Sequence, residues 1–82
     1  MKVRVKLFAA ARDLAAGHDS VEVAVPAGAT VADLRAALAS QVPPLAGLMR
    51  HVMFAVGQEY ADDRAMLDEA SEIACIPPVS GG

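Results

Sequence analysis

With 82 residues, 55% of them hydrophobic and 21% charged, the chain predicts one folded domain, long enough for a single core and too apolar for a disordered polar tail. A net charge of -3, without a lysine and arginine cluster interleaved with aromatics, argues against binding nucleic acid through its phosphates. The apolar stretch from Val21 to Val31 is broken by Glu22 and Pro26 and cannot span a bilayer, and MKVRVKLF lacks the apolar block of a signal peptide. The lone Cys75 allows neither an internal disulfide nor a cysteine-rich zinc site, so the expectation is a cytoplasmic protein in a reducing compartment, away from membranes.

Along the chain, Val3, Val5 and Leu7 alternate with Lys2, Arg4 and Lys6, which predicts a half-buried strand with a cationic outer face. Ala9 to Gly17 holds helix formers and a terminal glycine, enough for a turn or two of helix. Val21, Val23 and Val25 predict a second strand, stopped at Pro26 and Gly28 and antiparallel to the first. The main helix follows: Thr30 as N-cap, Asp33 closing a capping box in place of the preferred Glu, and Val31, Leu34, Ala37 and Leu38 as its apolar stripe. Pro43 and Pro44 end it, and Leu45 to Arg50 reads as a short helical turn or a loop. Val52, Phe54 and Val56 predict a third strand closed by Gly57, Tyr60 and Ala61 a brief fourth, and Glu72 to Ile76 the last, with Cys75 facing inward and Ile76 outward. Met66 and Leu67 are expected to plug into the core between them, and Met49, Met53 and Met66 to act as core filler.

One amphipathic helix across one mixed sheet of four to five strands is a two-layer α+β design. With the last strand beside the first and parallel to it, the arrangement is a ubiquitin-like β-grasp. The expected organisation is a β-grasp domain over residues 1–76 and a flexible tail over 77–82.

The tail, IPPVSGG, permits two readings from its residues alone. It is a frayed end, or it is a working one. Pro77 and Pro78 favour a stiff, extended exit from the sheet, and Gly81 and Gly82 lack side chains and would pass through a channel too tight for any other residue. The chemistry that would use such an end is acyl activation of its carboxylate. The sequence holds no Ser/His/Asp spacing, no phosphate loop and no HExxH, so partners would have to supply catalysis.

VKLFAAARDLAAG from Val5 to Gly17, ATVADLRAAL from Ala29 to Leu38, FAVGQEYA from Phe54 to Ala61 and IPPVSGG from Ile76 to Gly82 together resemble the small sulfur-carrying subunits of molybdopterin synthase. The terminal motif is the specific one. The resemblance implies that an ATP-dependent activating enzyme adenylates Gly82 and that sulfur then replaces AMP to leave a thiocarboxylate. It also implies that the tail enters the large catalytic subunit and gives its sulfur to the pterin precursor, the domain itself binding no cofactor and no metal. By the same resemblance Gly82 is the acyl carrier, Gly81 the clearance residue, and Pro77, Pro78, Val79 and Ser80 the threaded spacer. Arg12, within the family's opening motif, is by that resemblance expected to be a partner contact. Ile76, an aliphatic at the exit of the tail, suits the same interface. Two positions depart from the pattern: Gly57 replaces the usual asparagine at a turn either residue tolerates, and Ala70-Ser71 replaces Gly-Asp, which predicts a different local turn. A carrier for another pathway, a ubiquitin-like protein modifier, and a plain binding module stand as alternatives. His18 and His51 lack companion ligands and read as solvated.

Overall fold

Alternation builds the first strand. Along β1 (Lys2–Leu7), Val3, Val5 and Leu7 are buried while Lys2, Arg4 and Lys6 face solvent, because successive side chains leave a strand on opposite sides. The computed structural model describes residues 1–78. Within them β1 pairs antiparallel with β2 (Ser20–Ala24), Val3 opposite Val23 and Arg4 opposite Glu22. Between the two lies α1 (Ala9–Leu14). It closes with Gly17 N–H donating to the Arg12 carbonyl at 2.9 Å, with Ala16 at φ +59 and Gly17 at φ +81. The left-handed stop expected at Gly17 thus begins one residue earlier, on an alanine.

Helix α2 (Val31–Gln41) starts at the predicted capping box. Asp33 N–H donates to Thr30 Oγ1 at 3.3 Å and Thr30 N–H donates to Asp33 Oδ2 at 2.9 Å, so the shorter carboxylate reaches as a Glu would. Val31, Leu34 and Leu38 are fully buried against the sheet, each such side chain contributing about 1.5–3 kcal/mol of apolar burial. Pro43 and Pro44 then open a 3₁₀ helix (Pro43–Leu48), where a missing N–H leaves no bond unmade, and Leu45 drops into the core. The C-terminal residue of α2 also guards the sheet edge. Its Gln41 amide accepts from Ala24 N–H at 3.0 Å and donates to Ala24 O at 2.8 Å, occupying both backbone groups of that residue on the edge strand β2.

Strands β3 (Met53–Val56) and β4 (Glu59–Ala61) form a hairpin whose two-residue turn begins at Gly57, φ +65, the conformation that favours Gly or Asn there. Strand β5 (Ile73–Ile76) completes a five-stranded sheet in the order β2-β1-β5-β3-β4, parallel to β1 and antiparallel to β3. Glu72 lies just outside the strand it was expected to begin, its carbonyl accepting from Gly57 N–H at 2.8 Å. This is the ubiquitin-like β-grasp. Leu7, Cys75 and Phe54 stand side by side across β1, β5 and β3 as a buried row under α2.

Two methionines depart from expectation. Met49 is buried, but Met53 is exposed because it precedes Phe54 by one residue and alternation turns it to the other face. Met66 is 70% exposed: its backbone bridges to Thr30, and Leu67 alone is the plug, held by its N–H on Ala29 O at 2.9 Å. The turn at Ala70 is indeed not left-handed; Asp68 builds it instead, its Oδ1 accepting from Ala70 N–H at 2.8 Å while its carbonyl accepts from Ser71 N–H.

Arg35, on the flank of α2, pins the layers together. Its guanidinium donates to the carbonyls of Met49 and Val52, pairs with Asp63 at 2.9 Å and lies 5.1 Å from the Phe54 ring centroid. Removing it leaves two inward carbonyls unsatisfied, so Arg35→Met should cost about 2–3 kcal/mol in urea unfolding, whereas Asp63→Asn, at a more exposed partner, should cost under about 1 kcal/mol. Equal losses for the two would place the stabilisation in the ion pair instead of the carbonyl bonds.

Cys75 is fully buried, and burial pushes its thiol from 9.0 up to about 11 against a smaller downward pull from the Arg35 charge. Between those values the unfolded chain has released a proton that the folded chain keeps. Stability from this group is therefore complete below pH 9.0 and lost as pH rises toward about 11. Urea midpoints at about pH 8 and about pH 10.5 should fall further for the natural chain than for Cys75→Ala, by an amount worth about 2 kcal/mol; parallel declines would refute the burial effect.

Candidate functional site

The direction of β5 decides where the chain end goes. Because β5 runs parallel to β1, with Leu7 opposite Cys75, it carries the backbone past the end of β1 where Phe8 turns away from the sheet. Ile76 is half-buried, Pro77 is buried and Pro78 is exposed, so the chain is anchored through the first proline and emerges at the second. Val79, Ser80, Gly81 and Gly82, the other residues of the predicted working tail, lie outside the described residues.

The sheet face away from the helices is uncovered and ends at this exit. Strand register aligns Ser20, Lys6, Ala74, Ala55 and Tyr60 in one row across all five strands, and sets Met53 beside Ile76 one step nearer the exit. Its middle is apolar, formed by Ala55, Ala74, Ile76 and Met53, with Tyr60, 66% exposed, on the edge strand beside them. Phe8, 47% exposed, stands at the margin and shares a cavity of about 180 Å³ with Lys6, Gly57, Glu72, Ile73 and Ala74. Large apolar side chains left uncovered together and rimmed by charge are the usual mark of a protein interface.

Local backbone geometry places Phe8. Ala9, the next residue, has φ +50, a left-handed conformation that costs a non-glycine about 1 kcal/mol. It swings the chain off β1 into α1. Helix α1 in turn carries Arg12, whose guanidinium lies 3.6 Å from Asp19 in an exposed pair. Arg12 and Phe8 line a second hollow, about 330 Å³, together with Arg4 and Lys6.

Of the residues singled out by sequence, Ile76, Pro77 and Pro78 are neighbours along the exit, and Arg12 borders the same face across β1. His18 and His51 are exposed, and among the described residues no group of three or more His, Cys, Asp or Glu could hold a metal ion. No helix among them is long and apolar enough to cross a membrane. A roomier hollow of about 490 Å³ lies between Met53 and the Arg35–Asp63 pair, with Asp62 and Arg64 on its wall. Phe8, Ala55 and Tyr60 escaped the sequence reading. A signal for Phe8 existed: the alternation that sends Val3, Val5 and Leu7 inward assigns residue 8 to the cationic outer side. Tyr60 needed the β3–β4 register, which places it opposite Ala55.

Comparison with known proteins agrees with this geometry. The ThiS family model matches residues 5–82. The molybdopterin synthase sulfur carrier subunit of Caenorhabditis briggsae is 38% identical over 100% of this chain and 99% of its own, and that of Chlamydomonas reinhardtii 36% identical over 100% of both. Among solved structures, SAMP1 of Haloferax volcanii superposes with a TM-score of 0.82 at 32% identity, covering 100% of both chains. The match runs the full length, terminal Gly-Gly included, and the chain therefore belongs to the ThiS family, within the group of molybdopterin synthase sulfur carrier subunits.

Proposed function

We propose that this sulfur carrier works through the carboxylate of Gly82, presented beyond the sheet while the large synthase subunit docks on the open apolar face. The observation that carries the reading is the parallel β1–β5 pairing, which delivers the chain to Pro78 beside Ile76, Met53 and Phe8. A partner seated on that face would hold its own catalytic groups within reach of the last residues, since four residues beyond Pro78 span up to roughly 13 Å when extended.

The chemistry follows from the needs of a free carboxylate. Gly82 attacks the α-phosphorus of ATP in the activating enzyme, releasing pyrophosphate and leaving an acyl adenylate. A sulfur nucleophile then attacks the acyl carbon, AMP departs, and a thiocarboxylate remains. In the large subunit the sulfur passes to the pterin precursor, water restores the carboxylate, and two such cycles supply the two sulfurs of a dithiolene. The domain contributes shape and recognition, takes no cofactor of its own, and cycles between partners in the cytoplasm. Gly81 and Gly82 keep the chain narrow where it meets foreign catalytic groups.

A second use of the same end is favoured by one neighbour. SAMP1 is a small archaeal modifier protein, and an acyl adenylate at Gly82 would also be open to attack by a protein amine.

Incubation with a matching activating enzyme, ATP and sulfide should raise the intact mass by the exchange of one oxygen for one sulfur. Deleting Gly82 should abolish that gain while the thermal midpoint stays unchanged. A natural chain that stays unloaded where a known carrier loads would leave only the binding module. Tyr60→Ala should melt within about 0.5 kcal/mol of the parent yet bind the large subunit about tenfold more weakly; unaltered binding would move the docking surface off this face.

A further inference from the structure

We infer that the cationic hollow between β1, β2 and α1 receives a carboxylate-bearing segment of the large subunit, and that Asp19 occupies Arg12 until that carboxylate displaces it. This rests on the docking reading above and adds the chemistry of one partner contact to it. Arg4, Lys6 and Arg12 converge on the hollow, about 330 Å³, and Phe8 forms its apolar wall. Three donors of fixed positive charge beside an aromatic ring suit an acidic side chain followed by an apolar one.

Most of that charge is unspent. Among the described residues neither Arg4 nor Lys6 is in an ion pair, although Glu22 stands across the strands from Arg4 and Glu72 shares a neighbouring hollow with both cations. Arg12 alone is engaged, and loosely: 3.6 Å from a carboxylate whose side chain is 87% exposed. A pair so wet and so long contributes little to folding, so exchanging Asp19 for an incoming carboxylate costs the carrier little. The incoming group would be drier, walled by Phe8 and the partner, where the same attraction is stronger. The other conspicuous arginine offers no such opening, because Arg35 is spent on Met49, Val52 and Asp63. A polyanion such as RNA would also satisfy the cations, but the apolar wall and the net charge of -3 favour a protein.

The test is a double-mutant cycle on the complex with the large subunit, read by calorimetry or surface binding, with each variant's melting curve measured beside it. Arg12→Gln is expected to weaken binding about tenfold, as is Arg4→Gln combined with Lys6→Gln, while Asp19→Asn tightens it about threefold. In the Arg12→Gln background the gain from Asp19→Asn should vanish. Affinities unchanged across the set, or a gain from Asp19→Asn that persists without Arg12, overturn the inference and leave the sulfur-carrier reading standing. Binding of a single-stranded RNA oligonucleotide in competition with the large subunit assigns the hollow to a polyanion and also overturns it. A natural chain that forms no complex at all brings down the docking reading and this inference together.

Discussion

The pairing of β5 with β1 is the constraint on which everything else depends. Strands close in sequence pair through a short turn, but a strand near the end of the chain reaches the centre of a sheet only by crossing over it, here with α2 covering the buried side. That one parallel pair places Cys75 between Leu7 and Phe54, gives α2 a continuous apolar surface to cover, and aims the last described residues off the same end where β1 stops. Core and exit are therefore not independent. A side chain too large for the position of Cys75 would disturb both neighbours of the strand that carries the tail, which is reason enough for a small, unreactive thiol there.

The two faces of the sheet divide the work. Toward α2 lie the buried aliphatics, sealed so completely that no buried side-chain polar atom among the described residues lacks a partner. On the other side, small residues in β5 and β3, Ala74 and Ala55, leave a shallow floor, and larger groups rise at the margins: Tyr60 beyond β3, Phe8 and Arg12 beyond β1. The left-handed backbone at Ala9 belongs to the second arrangement, since nothing in the core demands it at the residue that follows Phe8.

Much of this was legible in the residues, and the exceptions have physical causes. Strands that alternate cleanly, such as β1, and a helix with a cap and a stripe, such as α2, declare themselves through local patterns. The tail motif, with the helix and hairpin motifs, carried the family resemblance that the ThiS match bears out. Met53 and Met66 misled because methionine is tolerated in and out of cores, and only register or backbone pairing settles which. Arg35 was invisible for a different reason: its partners, the carbonyls of Met49 and Val52 and the carboxylate of Asp63, lie 14, 17 and 28 residues away, and nothing in the helix pattern around it signals them. The open face was missed as a unit because it is a property of five strands in register, and no single segment contains it.

A protein that leaves one sheet surface bare beside an edge strand runs a standing risk of sticking to copies of itself. Gln41 closes off one route. By filling both backbone groups of Ala24 it denies that rung to any incoming strand, and two residues back along the same outer border comes Glu22, whose charge repels its own likeness. A single glutamine at the end of a helix thus withholds one rung of the outer strand from a second copy while leaving the bare face of the sheet untouched.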